Sequence, residues 1–353
     1  MKKLICKLLV VSLTLSMLFL PGCSSSSSGS SAPAQELNLF IWTEYLPQAV
    51  IDEFEKEYNI KVNVTMYSNN EEMLSKVKSS NAGTYDVVVP SDYMVESMIS
   101  QGLLEKLDMS KLKNIGNIDT TYMNQSFDPG NGYSVPYRGG ICALCVNKKL
   151  VTDDITSYTQ LFDSKYKDSI VGLDDFRIMI GIVAMSMGYT PNETDPAVLA
   201  KIKDRLMELK SNIKILDSDS PKTAMINNET SIGLMWNAEV SLATQGNSDV
   251  QIVFPKEGNT LFLDNLCILK GSKNVDAAEK FINYILDAKA SAEISKVYPY
   301  LNPNSAAVAL LGDDYKNNKA ANIPSDVFKN GQYIKNVDKS IDTYNDMWTA
   351  FTS

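Results

Sequence analysis

The sequence predicts an α/β protein, a parallel sheet with helices on both faces, built as two lobes. Short apolar runs alternate with stretches whose apolar residues recur at helical spacing, the signature of strand–helix repeats. The alternation occurs once in each half of the chain. The chain of 353 residues is also longer than one compact core usually fills.

The first half opens with an apolar strand at Leu37–Trp42. Val50, Ile51, Phe54 and Tyr58 then mark a helix after Pro47, a residue tolerated in a first turn. Lys61–Met66 is a second strand, with Val62 and Val64 alternating to one side. Met73, Leu74 and Val77 mark the next helix. Asp86–Pro90 is a short buried strand, and Val95, Met98 and Ile99 begin a further helix. Such alternation requires parallel strands with crossover helices.

The second half repeats this grammar. Strands are expected at Ser169–Leu173, Ile213–Leu216, Ser231–Trp236 and Val250–Pro255. Helices are expected at Phe176–Met187, with Gly188 as its stop, at Pro196–Lys210 and at Ala277–Leu286. Trp42, Ser91-Asp92-Tyr93, Asp174-Asp175 and Trp236-Asn237 all directly follow strands. In open α/β sheets ligands bind beyond the strands' C-terminal ends, so these positions predict a cleft.

The N-terminus predicts export. Met1-Lys2-Lys3 is basic, Leu4 to Leu20 is almost wholly apolar, and Leu20-Pro21-Gly22-Cys23 has the form of a cleavage site. Cys23 resembles the acceptor of the bacterial lipoprotein lipobox, which implies a signal peptide over 1–22 and lipidation of Cys23. Ser24–Ser31 is nearly all Ser, a flexible tether, so residues 23–36 are expected to lie outside the fold. The formal charge of −9 would fall to −12 with the loss of Lys2, Lys3 and Lys7. That balance is unsuited to nucleic-acid phosphates. The absence of histidine excludes His-dependent triads and deprives a zinc or iron site of its commonest ligand. Cys142 and Cys145 form a C-x-x-C, but within the apolar run Ile141–Val146 they read as buried strand residues.

The segments LFIWTEYLPQAVIDEFEKEYNIKV, YDVVVPSDYMVESM, FDPGNGYSVPY, IGLMWNAEVSLA and PKEGNTLFLDNLCI resemble the spermidine/putrescine-binding proteins of bacterial ABC importers. The resemblance runs from Leu37 to about Gln332. It implies a two-lobed periplasmic-binding-protein fold of type II, each lobe a mixed, mainly parallel sheet flanked by helices. Lobe 1 would comprise 37–141 plus 263–308, and lobe 2 would comprise 142–262 plus 309–353. It implies no enzyme activity, cofactor or metal, and a monomer anchored in the periplasm or on the outer face of the cytoplasmic membrane. The implied partners are a polyamine and the transmembrane subunits of an ABC permease.

Carried over by position, the family's aromatic cage falls on Trp42, Tyr45, Tyr93, Trp236, Phe262 and Tyr300. Its carboxylates fall on Glu44, Asp175 and Asp264, with Ser91 as a polar contact. Phe262 stands where some members carry Trp, and Asp92 where some carry Thr. Two positions depart further: Ile178 replaces a Glu of some members, and Ile334 replaces a Gln. Both leave the choice between spermidine and putrescine open.

Each residue type suits the chemistry. A buried ammonium requires a carboxylate, and aromatic faces attract cations while shedding water against methylenes. Lys and Arg are expected to be excluded from such a site. Asp174 is expected to cap the helix that begins at Phe176, leaving Asp175 near its positive end. Other readings stay open: a different cationic solute, a polyamine sensor, or a hydrolase using Glu44 and Asp264 as paired acids.

Overall fold

The computed structural model describes residues 35–353. The expected signal segment, Cys23 and the tether as far as residue 34 lie outside the described residues. Gln35 and Glu36, expected in the tether, instead begin the first strand.

The first half runs β1 (Gln35–Trp42), α1 (Gln48–Tyr58), β2 (Ile60–Tyr67), α2 (Asn70–Ser79), β3 (Val87–Val88) and α3 (Asp92–Ser100). Helix α1 buries Val50, Ile51 and Phe54 and stops at Asn59, whose φ of 54° is left-handed. Helix α2 is capped by the Asn69 side chain, which accepts from the Glu72 N–H. After β4 (Leu104–Glu105) comes the long β5 (Ser134–Asn147), every residue of which is buried.

The second half runs β6 (Ile170–Gly172), α4 (Phe176–Ser186), α5 (Pro196–Leu209), β7 (Ile213–Leu216), α6 (Lys222–Ile226), β8 (Ile232–Trp236) and α7 (Asn237–Gly246). Then come β9 (Val250–Val253), β10 (Thr260–Leu269), α8 (Val275–Ile285), α9 (Ala288–Val297) and β11 (Gln332–Tyr333). A C-terminal helix, Ile341–Thr352, ends the chain.

The strands are ordered β2-β1-β3-β10-β5-β8-β6-β7, with β4 and β11 also paired to β10 and β9 to β5. The outer blocks are parallel, as strand–helix alternation predicts: β1 with β2 and β3, and β6 with β7 and β8. The two long central strands run antiparallel to their neighbours, save that β10 pairs with β11 in parallel. Strand β5 changes partners along its length. Ser134–Ile141 pairs with β10, whereas Cys142–Val146 pairs with β8.

The apolar core divides in the same way. Leu37, Leu39, Phe54, Phe281 and Ile282 pack on one face of the β1 block, and Phe40, Val88, Met94 and Met98 on the other. A separate core holds Ile170, Met179, Leu206 and Leu234 from the β6–β8 block, joined by Tyr344, Met347 and Phe351 of the C-terminal helix. Each fully buried aliphatic or aromatic side chain contributes about 2 kcal/mol, so each half holds its own hydrophobic centre. Cys142, Cys145 and Cys267 are free thiols buried in these strands.

Candidate functional site: an aromatic cleft with buried carboxylates

Strand β1 delivers Trp42 to its C-terminal end, and the chain turns at once through Thr43 and Glu44. Glu44 has φ 51°, a left-handed conformation uncommon outside glycine. The turn returns Tyr45 to the core, where it is 3% exposed. Trp42 is fixed by its Nε1–H, which donates to the Val89 carbonyl at 2.8 Å. The Tyr67 hydroxyl donates to the same oxygen at 2.5 Å, and the two rings lie 4.6 Å apart.

Ser91 stands at the N-cap of α3, yet its side chain makes no capping bond. Its Oγ–H donates instead to Oδ1 of Asp264, on β10, at 2.5 Å. The Tyr45 hydroxyl donates to Asp264 Oδ2. Asn70 Nδ2 braces Ser91 Oγ at 3.1 Å. From Tyr45 a series of edge-to-face rings continues through Tyr300 at 4.8 Å and Phe262 at a further 6.1 Å to Trp236 at 5.2 Å.

The opposing wall comes from the β6–β8 block. Asp175 is the N-cap of α4 and accepts from the Ile178 N–H at 3.0 Å. Strand β8 passes into α7 without a loop, which sets Trp236 at the junction and Glu239 in the first helical turn. Ser218 and Asp219 complete this side, and the Ser68 hydroxyl of the first wall donates to Asp219 Oδ1 at 2.8 Å. Trp42, Glu44, Tyr45, Ser91, Tyr93, Asp175, Trp236, Phe262, Asp264 and Tyr300 all line this one cavity. Ile178 and Ile334 line it too.

Residues 49–323 match the family of bacterial extracellular solute-binding proteins. The chain belongs to that family. It is 34% identical over 323 residues to the spermidine/putrescine-binding periplasmic protein of Escherichia coli K12, a match covering 90% of this chain and 93% of that one. A solved chain from Listeria monocytogenes, assigned to a spermidine/putrescine ABC transporter, aligns with a TM-score of 0.87 at 33% identity. That alignment covers 90% of this chain and 99% of the other. The TpPotD lipoprotein of Treponema pallidum aligns with a TM-score of 0.79 at 27% identity, covering 90% and 99% respectively. The fold is therefore the two-lobed α/β solute-binding fold.

The electrostatics of this solute-binding protein's cleft are dominated by desolvation. Asp264 is 3% exposed, and burial pushes its carboxyl up to about 7 despite the Ser91 and Tyr45 hydroxyls that favour its charge. Burial raises Asp175 too, against its backbone bonds and the nearby Arg177. Glu71 accepts from the Tyr93 hydroxyl at 3.0 Å and is pushed up to about 7 by burial and by Asp175. The cleft wall thus holds two carboxyl groups, Asp264 and Asp175, whose charged forms burial disfavours.

Two expectations require correction. Asp175, not Asp174, caps α4; its neighbour is exposed, and the cap carboxylate lies in the cavity wall. Both Asp residues suit a cap chemically, and the backbone path selects the second. Cations are not excluded: Arg177 lines the cleft and is 1% exposed. Its guanidinium lies 4.5 Å from the Tyr344 ring centroid and donates to the Lys335 carbonyl at 2.7 Å. Glu44 lines the cavity and is paired there with Lys222 Nζ at 2.5 Å.

Sequence reasoning did not single out Tyr67, Asn70, Glu71, Arg177, Asp219, Lys222 or Glu239. Glu239 carried a usable signal, an acid in the first turn of a helix that follows a strand end. The others are brought in by long-range packing.

Proposed function

We propose that this protein captures a polyamine, spermidine or putrescine, between its lobes and hands it to an ABC permease without chemical change. The observation that carries the reading is the buried Asp264 carboxyl, held by Tyr45 and Ser91 beside a run of edge-to-face aromatic rings. An ammonium seated there would restore the carboxylate's charge, and the rings would cover the methylenes. The similarity to spermidine/putrescine-binding proteins supports the same ligand class. The ten lining residues named above are the proposed contacts, with Glu44 acting through its pair with Lys222.

We place the lobe crossings at β5, near Ile141–Cys142, and at the start of β10, where the core clusters separate. The last crossing lies after Tyr315, because Leu311 and Tyr315 still pack on Ala292 and Ala307. Closure about these segments would trap the ligand. Lipidation at Cys23, anchoring outside the cytoplasmic membrane and a monomeric state complete the reading. A lipoprotein among the structural relatives supports the anchor.

Calorimetric titration with putrescine, cadaverine, spermidine and spermine tests the function. At least one amine is expected to bind, and to be recovered with its mass unchanged. A flat response to all four, or turnover of any, would overturn it.

A further inference from the structure

Two of the cleft's carboxylates are bonded by an ammonium of the protein itself. Lys222, the first residue of α6, places Nζ 2.5 Å from Glu44 Oε2 and 3.0 Å from Glu239 Oε2. Ser220 Oγ lies 2.9 Å away. The three N–H bonds of an ammonium are matched by these three side chains. The Lys222 side chain is 16% exposed, and Glu239 is 4% exposed at its side chain. Burial works against the Lys222 charge, but the two carboxylates more than compensate and raise its pKa.

The carboxylates it engages are cavity residues, and they come from different parts of the fold. Glu44 follows β1 and is held in its left-handed turn, whereas Glu239 lies on α7 beyond β8. Tyr300, in contact with the Tyr45 and Phe262 rings, stands among these charges, since Glu239, Asp264 and Glu44 all act on its hydroxyl. One end of the cleft therefore already holds a cation on a protein tether, which offsets one of the two negative charges there. Asp264 has no cationic partner among the described residues.

We propose that Lys222 is a specificity-determining residue, a tethered ammonium that fills the Glu44–Glu239 end and leaves room for a short diamine rather than a triamine. This rests on the polyamine reading above. A diamine would use Asp264 and the Asp175 side while Lys222 stays in place. A third ammonium would have to displace Lys222 from the buried Glu239 and the half-buried Glu44, or sit beside it as a like charge. The same pair joins the two walls, and Ser68–Asp219 joins them a second time at 2.8 Å.

The test is calorimetric titration of the wild type, Lys222→Gln and Lys222→Arg with putrescine and spermidine. The wild type is expected to favour putrescine by about tenfold or more, the scale of one displaced buried ion pair. Lys222→Gln is expected to move the ratio about tenfold toward spermidine, and Lys222→Arg to retain the diamine preference. A wild type that prefers spermidine, or a ratio unmoved by Lys222→Gln, would overturn the proposal while leaving polyamine binding intact. Absence of any amine binding by the wild type would overturn the polyamine reading itself. Should Lys222→Gln fail to fold, the wild-type ratio alone still decides.

Discussion

The Tyr45 hydroxyl donates to Oδ2 of Asp264, a residue 219 positions further along the chain. With Ser91 on the other oxygen, the carboxyl is fixed from both sides while remaining unpaired with any cation among the described residues. Its value lies at about 7 instead of 3.8, which withholds up to about 4 kcal/mol of stability from the ionised form. Asp264→Asn is expected to lower amine affinity about a hundredfold or more, the scale of breaking a buried charge pair. The same substitution is expected to raise the Tm of the ligand-free protein at pH 8. Calorimetry and thermal unfolding together check this; unchanged affinity would remove Asp264 from the site.

The pH dependence follows from the same burial. In the free protein Asp264 stands near 7, held up mainly by desolvation. An ammonium beside it favours the charged form, so binding releases a proton and the bound value falls. Affinity is therefore expected to be full above pH 8 and to weaken as pH falls through about 7, by up to tenfold per pH unit. The sign is opposite for the free protein. The folded value of Asp264 is raised, so its contribution to stability is present at low pH and lost as pH rises through about 7. Titrations in buffers of different ionisation enthalpy measure the proton count directly; a count of zero near pH 7 would contradict the assignment.

Much of this site was legible because its residues adjoin apolar strands. Trp42, Ser91, Asp175 and Trp236 each follow or end a strand, and strand ends are where an α/β sheet exposes ligand contacts. The resemblance added Phe262 and Asp264, which lie inside β10 and carry no terminal signal. The pair between Lys222 and Glu44 could not be read, since 178 residues separate them and periodicity says nothing about long-range partners. Nor could the full length of β5. Its Pro136, Gly139 and Gly140 read as strand breakers, yet tertiary packing overrides them. Strands β4 and β11 have only two residues each, too few for a period to register, whereas β3 was legible as the apolar run within Asp86–Pro90.

Ile178 offers a test of specificity from the other end of the cleft. It occupies the third position of α4, with its N–H on the Asp175 cap, and its side chain lines the cavity at 4% exposure. Ile178→Glu would place a new carboxyl beside Asp175 and Arg177. Part of its charge would be satisfied by the helix N-terminus, as in a capping box, so the fold should tolerate it. The remainder is available to a further ammonium. The ratio of spermidine to putrescine affinity is expected to rise about tenfold. An unaltered ratio in calorimetry would show that this position does not read the ligand.

Gly140 tests the crossing strand itself. A Cβ there would sit 1.9 Å from Asn237 Oδ1 and 3.1 Å from Phe262 Cζ, so the first of these side chains must leave. Asn237 is fully buried; its Oδ1 accepts from the Ile141 N–H at 3.3 Å and its Nδ2 donates to the Ala320 carbonyl at 2.8 Å. Displacing it strips partners from two backbone groups at the point where β5 exchanges β10 for β8. Gly140→Ala is therefore expected to destabilise the protein by about 2–4 kcal/mol, the sum of overpacking and unsatisfied buried polar groups. Because Phe262 lies in the cavity wall, amine affinity should fall as well. Urea unfolding of the ligand-free variant measures the first effect and titration the second. A loss below about 0.5 kcal/mol would mean that Asn237 has room to move and that the close approach at Gly140 is not required.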